Sequence, residues 1–121
     1  MKPTINGTQF GSITIQNTEY DHDVIIKPDG SIRERNKDLS RKHYGTSHKV
    51  SREEAQDFQS QDSDQLIVGT GQSGQLSLTD EAEQFLRDNG YEKIEQYPTP
   101  KAIHRWNDAH GNVEGLFHVT C

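Results

Sequence analysis

The chain has a single cysteine, Cys121, among its 121 residues, so no internal disulfide can form and packing alone holds the interior. A lone thiol suits a reducing compartment, and the sequence is read as that of a cytoplasmic protein. Apolar residues are also scarce. At 29% hydrophobic and 7% aromatic, the content stays below the roughly 45 to 50% usual for globular chains even with ten glycines added. The surface must therefore be very polar. No run of about 18 apolar residues occurs, which excludes a membrane-spanning helix. Met1 to Phe10 has neither the charged-then-apolar order of a secretory signal nor an arginine-rich amphipathic stretch. Positive charge is in deficit: 13 Lys and Arg against 19 Asp and Glu leave a formal net charge of −6, which argues against nucleic acid and anionic membranes as partners.

What is present is organised as one domain, residues 1–121, large enough to bury roughly two thirds of its unfolded surface. Ile13 and Ile15 alternate with Ser12, Thr14 and Gln16, the period of a half-buried strand, and Asn17-Thr18 turns the chain. Val24-Ile25-Ile26 and Ser31-Ile32-Arg33 flank Pro28-Asp29-Gly30, where proline presets φ and glycine takes the left-handed position, so the spacing predicts a hairpin. Residues 36–50 carry no apolar periodicity and are expected to form a long loop. Ser51 followed by Glu54 is a capping box for a short polar helix through about Ser60.

Gln65 to Val68 holds three apolar residues without alternation, as in a central strand covered on both faces. Thr79 caps a helix with Asp80 and Glu81 in its first turn, Ala82, Phe85 and Leu86 as its buried stripe, and Asn89-Gly90 at its end. Tyr91 to Tyr97 reads as a strand. Thr99 as N-cap and Pro100 at the first helical position open a third helix, anchored by Ile103 and Trp106. Val113 to Val119 is the final strand. The second half is thus β-α-β-α-β, after strands and one helix.

Between the central strand and the Thr79 helix lies Gly69-Thr70-Gly71-Gln72-Ser73-Gly74, a G-x-G-x-x-G string. A dinucleotide site needs the helix to begin within the glycines, so that its first amides meet pyrophosphate. Here Gln75-Leu76-Ser77-Leu78 intervenes, and the helix that follows opens with Asp80 and Glu81, which repel phosphate. Glu92 or Glu95 lies near the spacing of a ribose-binding acid, but the chain is short for a two-lobed nucleotide fold. No Lys-Ser or Lys-Thr pair follows Gly74, so the string is not a P-loop. Gln75 also breaks the G-x-S-x-G elbow that a nucleophilic Ser73 would need.

In the same order, GTGQSGQLSLTDEAEQFLRDNGYE, TPKAIHRWND and the final GLFHVTC resemble the Mth938-like family, also known as the DUF498 family. The opening FGSITIQNTEYDHDVIIKPDGSI is similar too, so the resemblance spans nearly the whole chain apart from about Arg33 to His48. It implies a compact three-layer α/β fold with a mixed central sheet and an added N-terminal β-hairpin layer, here with about three helices. It implies no known activity and supplies no catalytic residue. Characterised relatives include a mitochondrial factor for respiratory complex I assembly and a cytosolic protein linked to fat-cell differentiation, which leaves an assembly-factor role as one alternative. The third strand of the family's hairpin often carries tryptophan, whereas this chain has Arg33-Glu34-Arg35 there.

Two candidate clusters remain. Gly69, Thr70, Gly71, Gln72, Ser73 and Gly74 form either an anion-holding nest or a tight structural crossing. His118, Thr120 and Cys121 place an imidazole, a hydroxyl, a thiol and a terminal carboxylate within four residues. Strand alternation puts His118 and Thr120 on one side and Cys121 with Val119 on the other. A zinc site wants about four ligands and this cluster supplies two, so neither a metal nor a cofactor is expected. Asp21-His22-Asp23 is split by the same alternation and reads as solvated. Ser31 to Arg52 carries seven basic residues against two acidic ones and reads as a solvated basic loop. The leading expectation is a binding or adaptor protein, taking a small anionic ligand or a protein partner at the carboxyl end of the Gln65 to Val68 strand. The alternative is an enzyme using Cys121 or His118 with the glycine loop. The sequence leaves the oligomeric state open.

Overall fold

Three strands at the N-terminus pair in simple order in the computed structural model, which describes residues 2–121. These are β1 (Ile5–Gln9), β2 (Ser12–Ile15) and β3 (Thr18–Tyr20), all antiparallel. The alternation in β2 buries Ile13 and Ile15, and Ile5 of β1 joins them. Gln16 and Asn17 take positive φ at the turn into β3.

The main sheet has five strands in the order β5-β4-β10-β7-β9. The predicted hairpin supplies β4 (Val24–Ile26) and β5 (Ile32–Glu34). The remaining strands are β7 (Gln65–Gly69), β9 (Lys93–Tyr97) and β10 (Val113–Phe117). β10 runs antiparallel to β4 and parallel to β7, which in turn runs parallel to β9. β7 is therefore interior, as its unbroken apolar run predicts. A third, two-stranded parallel sheet joins β6 (Lys49–Val50) to β8 (Ser77–Leu78).

Alternation along the main-sheet strands divides the core in two. Val24, Ile26, Ile67 and Phe117 face the small N-terminal sheet and α4 (Thr99–Asp108), whose Ala102, Ile103 and Trp106 are buried. Ile25, Leu66, Val68 and Leu116 face the other way, onto α2 (Arg52–Phe58) and α3 (Asp80–Asp88). Trp106 meets Phe117 edge to face at 5.8 Å, and its indole N–H donates to the Pro3 carbonyl at 2.9 Å. Gly115 lets these rings approach: a Cβ there would lie 2.5 Å from Phe117 Cε2 and 3.0 Å from Trp106 Cζ3. The molecule thus has the expected α/β layering, with a mixed central sheet and an added N-terminal sheet.

Among the described residues there are four helices where three are expected. The additional one, α1 (Asp38–Tyr44), and strand β6 occupy the segment read as a loop. The helix buries only Ser40, so it has no apolar stripe to betray it, and it ends at Gly45 with φ +70°. Both predicted side-chain caps at the neighbouring helices form: the Ser51 and Thr79 hydroxyls accept from the amides of Glu54 and Ala82. Helix α2 stops at Phe58 rather than Ser60, and β10 stops at Phe117 rather than Val119. The α4 cap is Pro98, not Thr99, whose hydroxyl is engaged elsewhere.

Candidate functional site

The register Phe117–Gly69 and Gly69–Tyr97 aligns the carboxyl ends of β10, β7 and β9. Three segments therefore leave the sheet side by side: His118 to Cys121, the glycine loop, and Pro98-Thr99. Thr99 ties them together. Its Oγ1 accepts from the Gly71 amide at 2.9 Å and donates to the His118 carbonyl at 2.6 Å. The amides of Thr70 and His118 donate to the carbonyls of Tyr97 and Gly69.

Beyond Gly71 the loop amides turn toward the final residues of the chain. The Gln72 amide donates to the Thr120 carbonyl at 2.7 Å. The amides of Ser73 and Gln75 converge on one oxygen, that of Cys121, at 3.2 and 3.1 Å. This is the donor pattern of a backbone nest, filled here by the chain's own Cys121 oxygen. Gly71 must be glycine for two reasons. Its φ is +106°, and a Cβ would lie 2.6 Å from Cys121 O and 2.7 Å from His118 Cδ2. As the charge pattern predicts, the dinucleotide geometry is missing: β8 intervenes, and α3 starts only at Asp80 with three acids in its first turn.

Behind this loop lies a buried charge network. Asp23 and His118 sit one step beyond the Val24–Phe117 pair of antiparallel β4 and β10, which brings together residues 95 apart in sequence. His118 Nδ1 lies 2.7 Å from Asp23 Oδ2, and the Val119 amide donates to Asp23 Oδ1 at 2.9 Å. Arg35, buried, donates from Nη1 to Asp23 Oδ2 at 3.0 Å and grips Glu54 with Nε at 2.5 Å and Nη2 at 3.0 Å. Ser40 Oγ closes the far end on Glu54, and the Ser40 and Ser51 hydroxyls meet at 3.2 Å. Burial pushes the Asp23 carboxyl up, but the bonds from His118 and Val119 and the Arg35 charge together hold it below the usual carboxylate range. Burial opposes the Arg35 charge, and Glu54 and Asp23 outweigh it, keeping the guanidinium more basic than usual.

His118 is 2% exposed, and its Nε2 lies 3.3 Å from Thr120 Oγ1. The two side chains share a side, as alternation predicts, while the Cys121 thiol is half-buried and unbridged. The His48 ring stands edge to face against His118 at 5.6 Å. Asp23, Arg35, Glu54 and His48 are the residues that sequence reading did not assemble. The one local signal was a carboxylate heading the wholly apolar strand Val24-Ile25-Ile26. His22 turns away from this network and its Nδ1 meets the Asp23 carbonyl. Among the described residues no group of three or more His, Cys, Asp or Glu is placed to hold a metal ion. The basic segment is not a uniform solvated loop either: Arg35 is internal, and Arg33 pairs with Asp57 at 3.0 Å.

A family model described as "Protein of unknown function (DUF498/DUF598)" matches residues 5–113. The chain belongs to this family. Its structure is similar to that of the conserved hypothetical protein PH1505 from Pyrococcus horikoshii OT3, with a TM-score of 0.91, 36% identity, and 98% of this chain and 99% of that one covered. A structure called MT938 is similar over 99% of this chain and all of its own, at 31% identity and a TM-score of 0.83, which supports the Mth938-like assignment. A protein from Bartonella henselae, described as an outer membrane protein, shares the fold at 18% identity and a TM-score of 0.67, with 99% of this chain and 97% of that one covered. None of the curated proteins matches the chain. Among the described residues no helix is long and apolar enough to cross a membrane.

Proposed function

We propose that this DUF498 protein is a cytoplasmic binding or adaptor protein whose glycine loop, Gly69 to Gly74, holds a small anion beside His118, Thr120 and Cys121. The observation that carries the reading is the convergence of the Ser73 and Gln75 amides on a single oxygen. Two amides aimed at one point bind an oxygen lone pair well and an oxyanion better, because a full negative charge strengthens each bond. The Cys121 oxygen is then an internal guest in the place an incoming carboxylate or phosphate oxygen takes. An incoming anion exchanges with it when the last two residues swing aside, and Gly71 is the position where the loop has no room for a side chain.

The test is thermal unfolding in acetate, phosphate and sulfate against chloride at matched ionic strength, with the wild type and a variant lacking Cys121. At tenfold excess over the dissociation constant a single site adds about 1.4 kcal/mol, or roughly 5 °C for a domain of this size. The variant lacking Cys121 is expected to show the larger shift, because its cradle has no internal guest. No anion-specific shift in either protein overturns the reading.

A further inference from the structure

Among the polar groups inside the molecule, one chain of hydrogen bonds leads from a fixed buried charge to a half-buried hydroxyl. It runs from Arg35 through Asp23 Oδ2 and His118 Nδ1, and from His118 Nε2 to Thr120 Oγ1. Asp23 has both oxygens committed, to the Val119 amide and to His118 with Arg35, so it accepts from Nδ1 and cannot donate while ionised. That assigns the proton of a neutral imidazole to Nδ1 and leaves Nε2 as an acceptor aimed at the Thr120 hydroxyl. The His118 ring is held in place by its burial, 2% exposed, and by the 2.7 Å bond from Nδ1 to Asp23 Oδ2.

We propose that Thr120 is a nucleophilic hydroxyl, with His118 as its general base and Asp23 as the positioning residue that fixes the imidazole, and that the set acts on activated carboxylic esters. Such a set is recognised by geometry and roles rather than by sequence order. Oγ–Nε2 distances beyond ideal hydrogen-bond length are ordinary before substrate binds. In the first step Thr120 Oγ bonds to the ester carbonyl carbon, and its proton passes to His118 Nε2. The bond from that carbon to the alkoxy oxygen then breaks, and the Nε2 proton goes to the departing alcohol. In the second step water adds to the threonyl ester, gives its proton to His118, and the acid leaves as Thr120 Oγ recovers that proton. No redox partner is needed. Phe10, 68% exposed, stands at the β1–β2 turn, and the amide of the next residue, Gly11, bonds the Val119 carbonyl at 2.8 Å, so the turn that carries it is tied to this segment. The inference is independent of the anion cradle, since the relay is complete with Cys121 seated in the loop.

The probe is p-nitrophenyl acetate. A burst of nitrophenolate with one acetyl group on the protein is expected, and fragmentation of the final peptide should place it on Thr120 rather than Cys121. Thr120→Val should cut the burst about 100-fold or more while the protein remains folded at the assay temperature, and Thr120→Ser should restore it. In the wild type, long-range proton–nitrogen spectra of the His118 ring should show the neutral imidazole protonated at Nδ1. Acetylation confined to Cys121 or to amines, a Thr120→Val burst equal to wild type, or an imidazole protonated at Nε2 alone overturns the proposal.

Discussion

Strand β10 carries a buried carboxylate network at each end, and the two are built differently. At its start Glu114, fully buried, accepts from Lys27 Nζ at 2.6 Å, Ser63 Oγ at 3.1 Å and the Tyr91 hydroxyl. The group is tied further into the protein: the Tyr91 oxygen accepts from the Ser60 amide, Lys27 Nζ also bonds the Phe58 carbonyl, and the Ser60 hydroxyl lies 3.5 Å from Glu114 Oε2. Just past the other end of β10, Asp23 and His118 lead out to Thr120 and to the edge of His48. Both networks desolvate charge, and both have their partners in place. The difference is that the first is closed to proton relay, with no imidazole in it and its 20% exposed Lys27 ammonium held on Glu114, while the second passes through His118 to a hydroxyl within reach of solvent, next to a loop whose amides focus on one oxygen. A closed network holds elements together. An open one has somewhere to pass a proton.

The largest effect is expected at the open end. Arg35→Ala leaves the Asp23 and Glu54 carboxylates buried without their shared cation, and stability measured by urea unfolding should fall by about 3–5 kcal/mol. At the closed end Glu114→Ala removes the partner of Lys27, which keeps some solvent access, so a loss of about 3 kcal/mol is expected. That variant should nevertheless acetylate at Thr120 as the wild type does, measured under conditions where it is folded. A parallel loss of acetylation in Glu114→Ala would erase the distinction between the two ends. Gly71→Ala should cost about 1–3 kcal/mol from its left-handed φ, with the clash of the new Cβ against Cys121 added to that, and should abolish the anion-induced thermal shift while a folded protein remains.

The smallest effects separate the ends by pH. Asp23 has a folded pKa below its unfolded value, so its contribution is complete above the ordinary carboxylate range and is lost as pH falls through the folded value. Tyr91 behaves oppositely. Burial first, then the Glu114 charge and its hydrogen bond, raise its pKa above the ordinary 10.0, so its contribution is complete below pH 10.0 and declines as pH rises past it. Urea midpoints across pH should therefore fall on the acid side in a way Asp23→Asn flattens, and on the alkaline side in a way Tyr91→Phe flattens.

Much of the fold was legible because its signals are local. Pro28-Asp29-Gly30 encodes its hairpin, Ser51 and Thr79 encode their caps, and Leu66-Ile67-Val68 encodes an interior strand within a few residues each. The α1 helix was not legible, because a helix that buries only Ser40 writes no apolar period. At the candidate site the glycine loop and His118 with Thr120 were visible as composition and alternation. Their partners were not: Asp23 meets His118 across a strand pairing that spans 95 residues, and Arg35 sat in a segment that looked merely basic. Thr99 looked like a helix cap, and only the tertiary arrangement shows its hydroxyl joining Gly71 to His118. Non-local pairing leaves no trace in a single sequence.

The contrast between the two ends is tested most directly by titrating acetate into nitrogen-15-labelled protein and following its backbone amides. Saturable shifts at Ser73 and Gln75, with Ser60 and Ser63 beside Glu114 unmoved, are expected from that contrast. Unchanged Ser73 and Gln75 signals, or non-saturating shifts spread over the surface, would contradict it.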